Sequence, residues 1–361
     1  MKKIRYALIG CGRIAPSHIT AIKNNRDDIE LVGVCDLEKE KAKALLSANG
    51  FENIPVFDNH RELLETVRPD MCAVATSSGD HAAVAADCLK SGANTLVEKP
   101  IALSLADADM LISVAKEKKL TLGVCFQNRF NKAVCSIRSA IDEGRFGRLF
   151  YGTANIRWGR DKNYYDQASW RGTWEQDGGA LMNQCIHDID LLVWMMGGRP
   201  KEVFAYTDRL NHDYIEAEDL GLAVIKFENG SYGIIEGTTD VYPKNLEETL
   251  CIFGEKGTVR AGGKAVNTIE DWIFGDRKED VEKLKADCLE SSSSVYGFGH
   301  TPLYRNFIDA VKTGAPLKAT AYDGRRALEV ILAVYRSAAD GKPVSFPLEN
   351  GATVDYKGRF K

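Results

Sequence analysis

The sequence predicts a two-domain chain of α/β plus α+β class: a doubly wound parallel sheet over residues 1–125, then a domain over 126–361 built on an open, mostly antiparallel sheet. Three observations carry this. The 361 residues suit two domains at roughly 100 to 200 residues each. Short β-rich runs alternate with helical patterns through the first 125 residues, which is the mark of β-α-β units. From Arg148 to Phe253 strand-like runs recur around a single strongly apolar helix, which favours antiparallel pairing.

The elements follow in order. Ile4–Ile9, Leu31–Cys35, Met71–Ala75, Thr95–Val97 and Leu120–Cys125 are the parallel strands. Gly92 stops the helix of Asp80–Ser91, and Ser104 with Asp107 opens the next as a relaxed capping box. Gly178 to Trp194 reads as a helix closed by Gly197-Gly198, with Leu181, Cys185, Ile189, Leu192 and Met196 as its buried stripe. Arg148–Trp158, Glu202–Thr207, Leu220–Phe227, Tyr232–Asp240 and Glu248–Phe253 are the strands of the second sheet, with Asn229-Gly230 as a hairpin turn. Thr301-Pro302 opens a helix that ends at Gly314, and Asp323–Asp340 forms another, stopped by Gly341 and Pro343. Ser291–Ser294 with Tyr296-Gly297-Phe298-Gly299 is the expected mobile loop.

Composition narrows the function classes. With 47 Lys+Arg against 51 Asp+Glu, a formal charge of −4 and 44% hydrophobic residues, the chain is an ordinary globular protein and not a basic nucleic-acid binder or a disordered segment. No apolar run approaches the roughly 18 residues of a membrane span, and Met1-Lys2-Lys3 leads straight into a strand-like run, so no membrane partner and a cytoplasmic location are expected. The nine cysteines are scattered, with no C-x-x-C. They read as reduced core residues, and no metal is expected.

Directly after the first strand stands Gly10-Cys11-Gly12-Arg13-Ile14-Ala15, a G-x-G-x-x-A turn leading into a helix that tolerates Pro16 in its first turn. Gly10 makes the tight turn, Gly12 leaves room for a pyrophosphate at the helix N-terminus, and Ala15 permits close helix–strand packing. Asp36 at the end of the second strand is placed to accept ribose hydroxyls, which together with the turn reads as the fingerprint of a Rossmann dinucleotide site; the alternative is an ordinary tight turn with Asp36 as a helix N-cap. Its carboxylate repels a 2′-phosphate, so NAD is the expected cofactor; Lys39 and Lys41 nearby keep NADP as the lesser alternative. Arg13, Ile14, Thr76, His81, Glu98, Lys99 and Gln127 complete the cofactor-binding candidates.

Two residues are candidates for chemistry. Lys99, in Glu98-Lys99-Pro100 at the carboxyl end of the fifth strand, can hydrogen-bond a substrate hydroxyl and stabilise charge as its proton leaves; paired with Glu98 it is merely a solvated strand end. His187 shares a helix face with Asn183 and Gln184, so it can serve as a general base while the amides orient a hydroxyl, or it is a satisfied structural histidine. Asp190, one turn on, can hold the imidazole.

The Gly10–Ala15 turn, Glu98-Lys99-Pro100, Gln127-Asn128-Arg129-Phe130, the Gly178–Asp190 helix and the stretch His300 to Val344 together resemble the Gfo/Idh/MocA oxidoreductases over nearly the whole chain. The resemblance implies a sugar or cyclitol substrate, Lys99 and His187 as catalytic residues, C-terminal helices (about 301–340) packed back near the first domain, and homodimers or homotetramers through the open sheet. Many members carry Asp four residues before the catalytic His. Here that position is Asn183, which removes a charge from the site.

Between the main motifs lie Arg157-Trp158-Gly159-Arg160-Asp161-Lys162-Asn163-Tyr164-Tyr165 and Trp170-Arg171-Gly172-Thr173-Trp174. Aromatic faces suit sugar CH surfaces and Arg forks suit carboxylate or phosphate, so Arg157, Arg160, Tyr164, Trp170, Arg171, Asn183 and Gln184 are the substrate-binding candidates; an Arg-aromatic cluster also suits a subunit interface. The run through Asn183-Gln184 is similar to the family's branch acting on UDP-N-acetyl-glucosaminuronic acid at its 3-hydroxyl. The expected function is an NAD-dependent dehydrogenase of a secondary hydroxyl on a sugar, sugar acid or nucleotide sugar. The alternatives are an inositol or neutral-sugar dehydrogenase and a non-catalytic dinucleotide-binding regulator.

Overall fold

The computed structural model describes residues 2–263, 265–276, 280–289 and 299–360. They form two compact units, Met1–Phe126 with His300–Arg325 and Gln127–Gly299 with Arg326–Lys361. The first contains β1 (Ile4–Ile9), α1 (Ala15–Asn24), β2 (Ile29–Cys35), α2 (Lys39–Ser47), β3 (Val56–Phe57), α3 (His60–Val67), β4 (Met71–Val74), α4 (His81–Ser91), β5 (Asn94–Val97), α5 (Leu105–Lys118) and β6 (Leu122–Val124). All six strands run parallel in the order β3-β2-β1-β4-β5-β6. The order reverses between β1 and β4, and in open α/β sheets ligands bind at such a switch point, beyond the strands' carboxyl ends. Tyr6 to Leu8 and Met71 to Val74 are fully buried, as strands covered on both faces must be. The punctuation matches the sequence: Gly92 ends α4 with φ 96°, and Ser104 Oγ accepts the Asp107 N–H at 3.1 Å to open α5.

The second unit contains α6 (Lys132–Asp142), β7 (Leu149–Arg157), the single turn α7 (Lys162–Tyr165), a π-helical turn at Leu181–Cys185 running into α8 (Ile186–Met195), β8 (Pro200–Asp208), β9 (Leu220–Phe227), β10 (Tyr232–Thr238), β11 (Glu247–Gly254), β12 (Gly257–Gly262), β13 (Thr268–Phe274) and α9 (Val281–Cys288). The chain returns to the first unit with α10 (His300–Thr313); α11 (Ala321–Asp340) starts there and continues into the second, which holds β14 (Val344–Ser345). The eight strands lie in the order β13-β12-β11-β7-β10-β9-β8-β14, every pairing antiparallel except β7 with β10.

One face of this sheet carries the π turn and α8, with the expected stripe Leu181, Cys185, Ile189, Leu192 and Met196 fully buried. Close approach is possible because Gly152, Gly221 and Gly237 stand beneath it in neighbouring strands. A Cβ on them would lie 2.9 Å from Leu192, 2.5 Å from Leu181 and 2.7 Å from the Cys185 sulfur, respectively. The strict alternation of β9 turns Leu222 and Val224 to the opposite face, where they lie exposed with Tyr206, Tyr232 and Ile234.

Some elements depart from the sequence expectation. The Gly178 to Trp194 helix is not uniformly α-helical, since Leu181–Cys185 is wound as a π turn. β3 and β14 are two-residue strands, too short to show a period. β12 and β13 escaped notice because a register shift at Arg260/Ala261 breaks the two-residue alternation, leaving adjacent Glu270 and Asp271 both exposed. Residues 291–298 of the expected mobile loop lie outside the described residues. All nine cysteines are free thiols, and among the described residues no helix is long and apolar enough to cross a membrane.

Candidate active site

In the first unit the glycine turn is built for a ligand. Gly10 adopts φ 100°, and a Cβ there would sit 2.2 Å from the Ala75 carbonyl oxygen, so no other residue fits. Gly12 is the opposite case: its Cβ would meet nothing within 4 Å. The chain itself does not need that glycine, whereas a pyrophosphate approaching the N-terminus of α1 does. Asp36 follows β2 and folds back on the turn, its Oδ2 accepting the Cys11 N–H at 2.7 Å and its Oδ1 the Glu38 N–H at 2.9 Å. Lys39 is tied to Asp58 at 2.9 Å and Lys41 to Glu38 at 2.5 Å, so the nearby cations are occupied by other carboxylates. These residues fit NAD.

The other first-unit candidates line the strand ends. Arg13 is exposed and Ile14 half-buried at the entry to α1; Thr76 is half-buried just after β4. His81 is buried with Nδ1 2.7 Å from the Pro100 carbonyl and Nε2 3.2 Å from that of Thr76. Burial pushes its pKa down, and a neutral ring donates its one N–H to only one of these two carbonyls, the shorter contact being that to Pro100. Glu98 is buried between His18 Nε2 at 3.2 Å and His300 Nε2 at 3.4 Å, and its Oε2 accepts the Lys99 N–H at 3.2 Å. Burial alone would raise its pKa, but the two histidines hold it well below the usual range. Glu98 thus fixes the backbone of half-buried Lys99 from behind.

In the second unit the amide Nε2 of Gln127 lies 3.3 Å from His187 Nε2. In this arrangement the Gln127 amide N–H donates to His187 Nε2. Gln127, expected on the cofactor, has its amide on this histidine. Asp190 is gripped by Arg129 through buried bonds of 2.7 and 2.6 Å, with the guanidinium stacked 4.6 Å from the Trp194 ring. An acid buried one turn from His187 demands such a partner.

Arg160, Tyr164, Arg171, Asn183 and Gln184 come together. Arg160 Nε donates to Gln184 Oε1 at 3.1 Å and Nη1 to Asn245 Oδ1 at 2.8 Å, while its guanidinium stacks on Trp158 and Tyr164. The Tyr164 hydroxyl accepts from Gln184 Nε2 at 2.8 Å and Arg171 Nη1 at 2.5 Å. Half-buried Trp170 stacks on Arg171 at 4.8 Å. Asn183 Nδ2 donates to buried Asp177. The charge that Asn183 removes from its own position is therefore supplied from six residues upstream, a residue the sequence reading missed. Behind this layer Asp188 is pushed up to about 7 by burial, next to Glu248, which burial also raises.

Arg157 and Lys162 do not join this cluster. The pleat of β7 turns Arg157 to the same face as exposed Tyr151, where it pairs with Glu236 of β10 and Glu247 of β11. Lys162 bonds Asp166 at 2.7 Å on the surface. Linear proximity to Arg160 hides that Arg157 ends a strand, whose alternation sets the face it takes.

A glycine turn at the switch point of a parallel sheet, with an acid at the end of the next strand, defines an NAD-binding fold of the oxidoreductase class. Residues 4–126 match the oxidoreductase family's NAD-binding Rossmann fold and residues 138–346 its C-terminal alpha/beta domain. The chain belongs to the Gfo/Idh/MocA oxidoreductase family, whose named relatives are sugar and inositol dehydrogenases. It is 26% identical to myo-inositol 2-dehydrogenase of Thermotoga maritima, over 94% of this chain and 98% of that one. Among solved structures it is 38% identical to the WlbA dehydrogenase of Bordetella pertussis in complex with NADH and UDP-GlcNAcA, with a TM-score of 0.85 covering 96% of this chain and 100% of that one. The same complex of the Chromobacterium violaceum WlbA is also 38% identical, with a TM-score of 0.88 and 97% of each chain covered.

Proposed function

We propose that this chain is an NAD-dependent dehydrogenase that oxidises a secondary hydroxyl of an anionic nucleotide sugar, with UDP-N-acetyl-glucosaminuronic acid as the substrate and its 3-hydroxyl as the reacting group. The observation that carries the substrate class is the pair of guanidiniums, Arg160 and Arg171, gathered around Tyr164 and Gln184. Such a cluster suits carboxylate or phosphate and offers little to a neutral cyclitol. The greater identity to dehydrogenases solved with UDP-GlcNAcA than to inositol dehydrogenases supports the same reading.

The roles follow from the residues. His187 Nε2 accepts the hydroxyl proton. The Lys99 ammonium hydrogen-bonds the same oxygen and stabilises it as the proton leaves. Asn183, fixed by Asp177, and Gln184 orient the sugar. NAD, held by Gly10, Gly12 and Asp36, supplies the acceptor for the hydride. The exposed apolar face of the second sheet pairs subunits into a homodimer or homotetramer.

The test is a substrate screen by NADH absorbance with UDP-N-acetyl-glucosaminuronic acid, UDP-N-acetylglucosamine and myo-inositol. The acid should have the highest kcat/KM. Arg160→Ala should raise its KM about tenfold, the equivalent of roughly 1.4 kcal/mol, whereas Arg157→Ala should leave it within twofold. Lys99→Ala and His187→Ala should each lower kcat about a hundredfold or more. A neutral cyclitol as best substrate would overturn the anionic reading.

A further inference from the structure

The loop between β8 and β9 carries a histidine that no step above uses. His212 is buried, its side chain 2% exposed, and its two ring nitrogens face acceptors on opposite sides. Nε2 lies 2.8 Å from the carbonyl oxygen of Arg160. Nδ1 lies 3.1 Å from Asp240 Oδ1 and 3.3 Å from Asp219 Oδ2. A neutral imidazole has one N–H and cannot satisfy both sides. With Nε2–H given to Arg160, Nδ1 faces two carboxylates at ion-pair distance without a hydrogen bond to either, a setting that favours a second proton on the ring.

The surroundings hold that charge in place. Asp219, just before β9, accepts the N–H groups of Leu210 at 2.8 Å and of Asn211 and His212 at 3.0 Å each, which keeps it ionised and curls the loop around it. Asp240, two residues past β10, brings a second carboxylate. The rings of Tyr165 and Tyr214 pack against His212 at 5.4 Å each, and Lys162 lies over Tyr214 at 5.7 Å. Burial lowers the pKa of His212, but the Asp219 and Asp240 carboxylates overcome it and leave the pKa above 6.5. Burial and Asp219 raise Asp240 to about 6.

We propose that His212, held as an imidazolium between Asp219 and Asp240, is a positioning residue for Arg160: it clamps the Arg160 carbonyl and so aims the guanidinium at Gln184 and the substrate's anionic group. This rests on the substrate reading given above. When the imidazolium loses a proton, the one that stays sits on Nδ1, facing two carboxylates, and the Nε2 lone pair then opposes the Arg160 oxygen. The clamp is attractive in the acid form and repulsive in the base form.

The experiment has an arm that needs no substrate. Carbon-13 histidine NMR of the full-length protein, with the His212 signal assigned by its loss in His212→Gln, should show a titration above pH 6.5. Asp240→Asn should move it down by about one unit. In the kinetic arm, KM for UDP-N-acetyl-glucosaminuronic acid should climb about tenfold through the same titration while kcat changes less. His212→Gln should show the raised KM at every pH, and Asp240→Asn should shift the climb to lower pH with the NMR signal. A purely structural His212 would lower stability without moving the pH at which KM climbs. The proposal is overturned by a ring already neutral at pH 6.5, by a KM profile that ignores both variants, or by one equivalent of tightly held metal ion at these residues in elemental analysis. If the acid is not turned over, the substrate reading fails, while the NMR arm still decides whether the clamp exists; the kinetic arm then runs with whichever screened hydroxyl substrate is oxidised.

Discussion

Asp36 does two jobs that a pair of substitutions separates. Its carboxylate accepts two backbone N–H groups, from Cys11 at 2.7 Å and Glu38 at 2.9 Å, and in the proposed function it also accepts the ribose hydroxyls of NAD. A hydrogen bond to a charged group is worth about 1.5 to 3 kcal/mol net. Asp36→Ala leaves the Cys11 N–H in the glycine turn without its acceptor, so NADH affinity should fall by about 10- to 100-fold if that bond's worth is lost from the binding-competent turn. Asp36→Asn keeps an acceptor oxygen for Cys11 and removes the charge together with the acceptor of the Glu38 N–H. NADH affinity should then fall less than tenfold, while NADPH affinity should rise because the carboxylate no longer repels a 2′-phosphate. Lys39 and Lys41 will not mask this, since they are paired with Asp58 and Glu38. Titrating both cofactors against protein fluorescence for the three proteins gives the four ratios needed. An Asp36→Ala protein whose NADH dissociation constant stays within twofold would refute the turn-holding role. An unchanged NADH-to-NADPH ratio in Asp36→Asn would refute discrimination by charge.

The other expectations are briefer. Gly12→Val should leave the melting temperature nearly unchanged, because its Cβ meets nothing within 4 Å, yet lose NADH binding; Gly10→Ala should unfold at lower temperature, since its Cβ falls 2.2 Å from the Ala75 oxygen. Glu218 is buried, its Oε1 accepting the Leu181 N–H and the Tyr335 hydroxyl at 2.9 Å each, and burial pushes its pKa from 4.5 up to about 8. The folded state therefore keeps a proton the unfolded chain gives up, and stability should fall as pH rises from about 4.5 through 8. Glu218→Gln, which mimics the protonated group, should flatten that slope and gain roughly 2 to 5 kcal/mol relative to the parent at pH 9 in urea titrations; parallel slopes would contradict it. Val224→Lys, on the exposed sheet face, should lower the oligomer mass in light scattering while NADH still binds.

Much of the cofactor site was legible in the sequence because its parts are local. Gly10 to Ala15 are consecutive, and their backbone needs are set by φ and by the absence of a Cβ, properties a residue carries with it. Asp36 and Lys99 could be placed because a parallel strand delivers its last residue to one edge of the sheet whatever its neighbours are. The apolar stripe on the Leu181 to Met196 helix told which face is buried for the same reason.

What only the tertiary structure decided is which charges cancel. Arg157 and Arg160 are three residues apart, yet Glu236 and Glu247, 79 and 90 residues along the chain, claim the first and leave the second to Gln184 and Asn245. Arg129 grips Asp190 across 61 residues, and Asp177 restores the carboxylate that Asn183 lacks. His212 and Asp219 share the β8–β9 loop, while Asp240 and the Arg160 carbonyl come from two other segments at the same sheet end, and no periodicity marks them. Coulomb attraction and hydrogen bonding act through space within a few ångström, whereas sequence patterns report only how each segment meets its own local geometry.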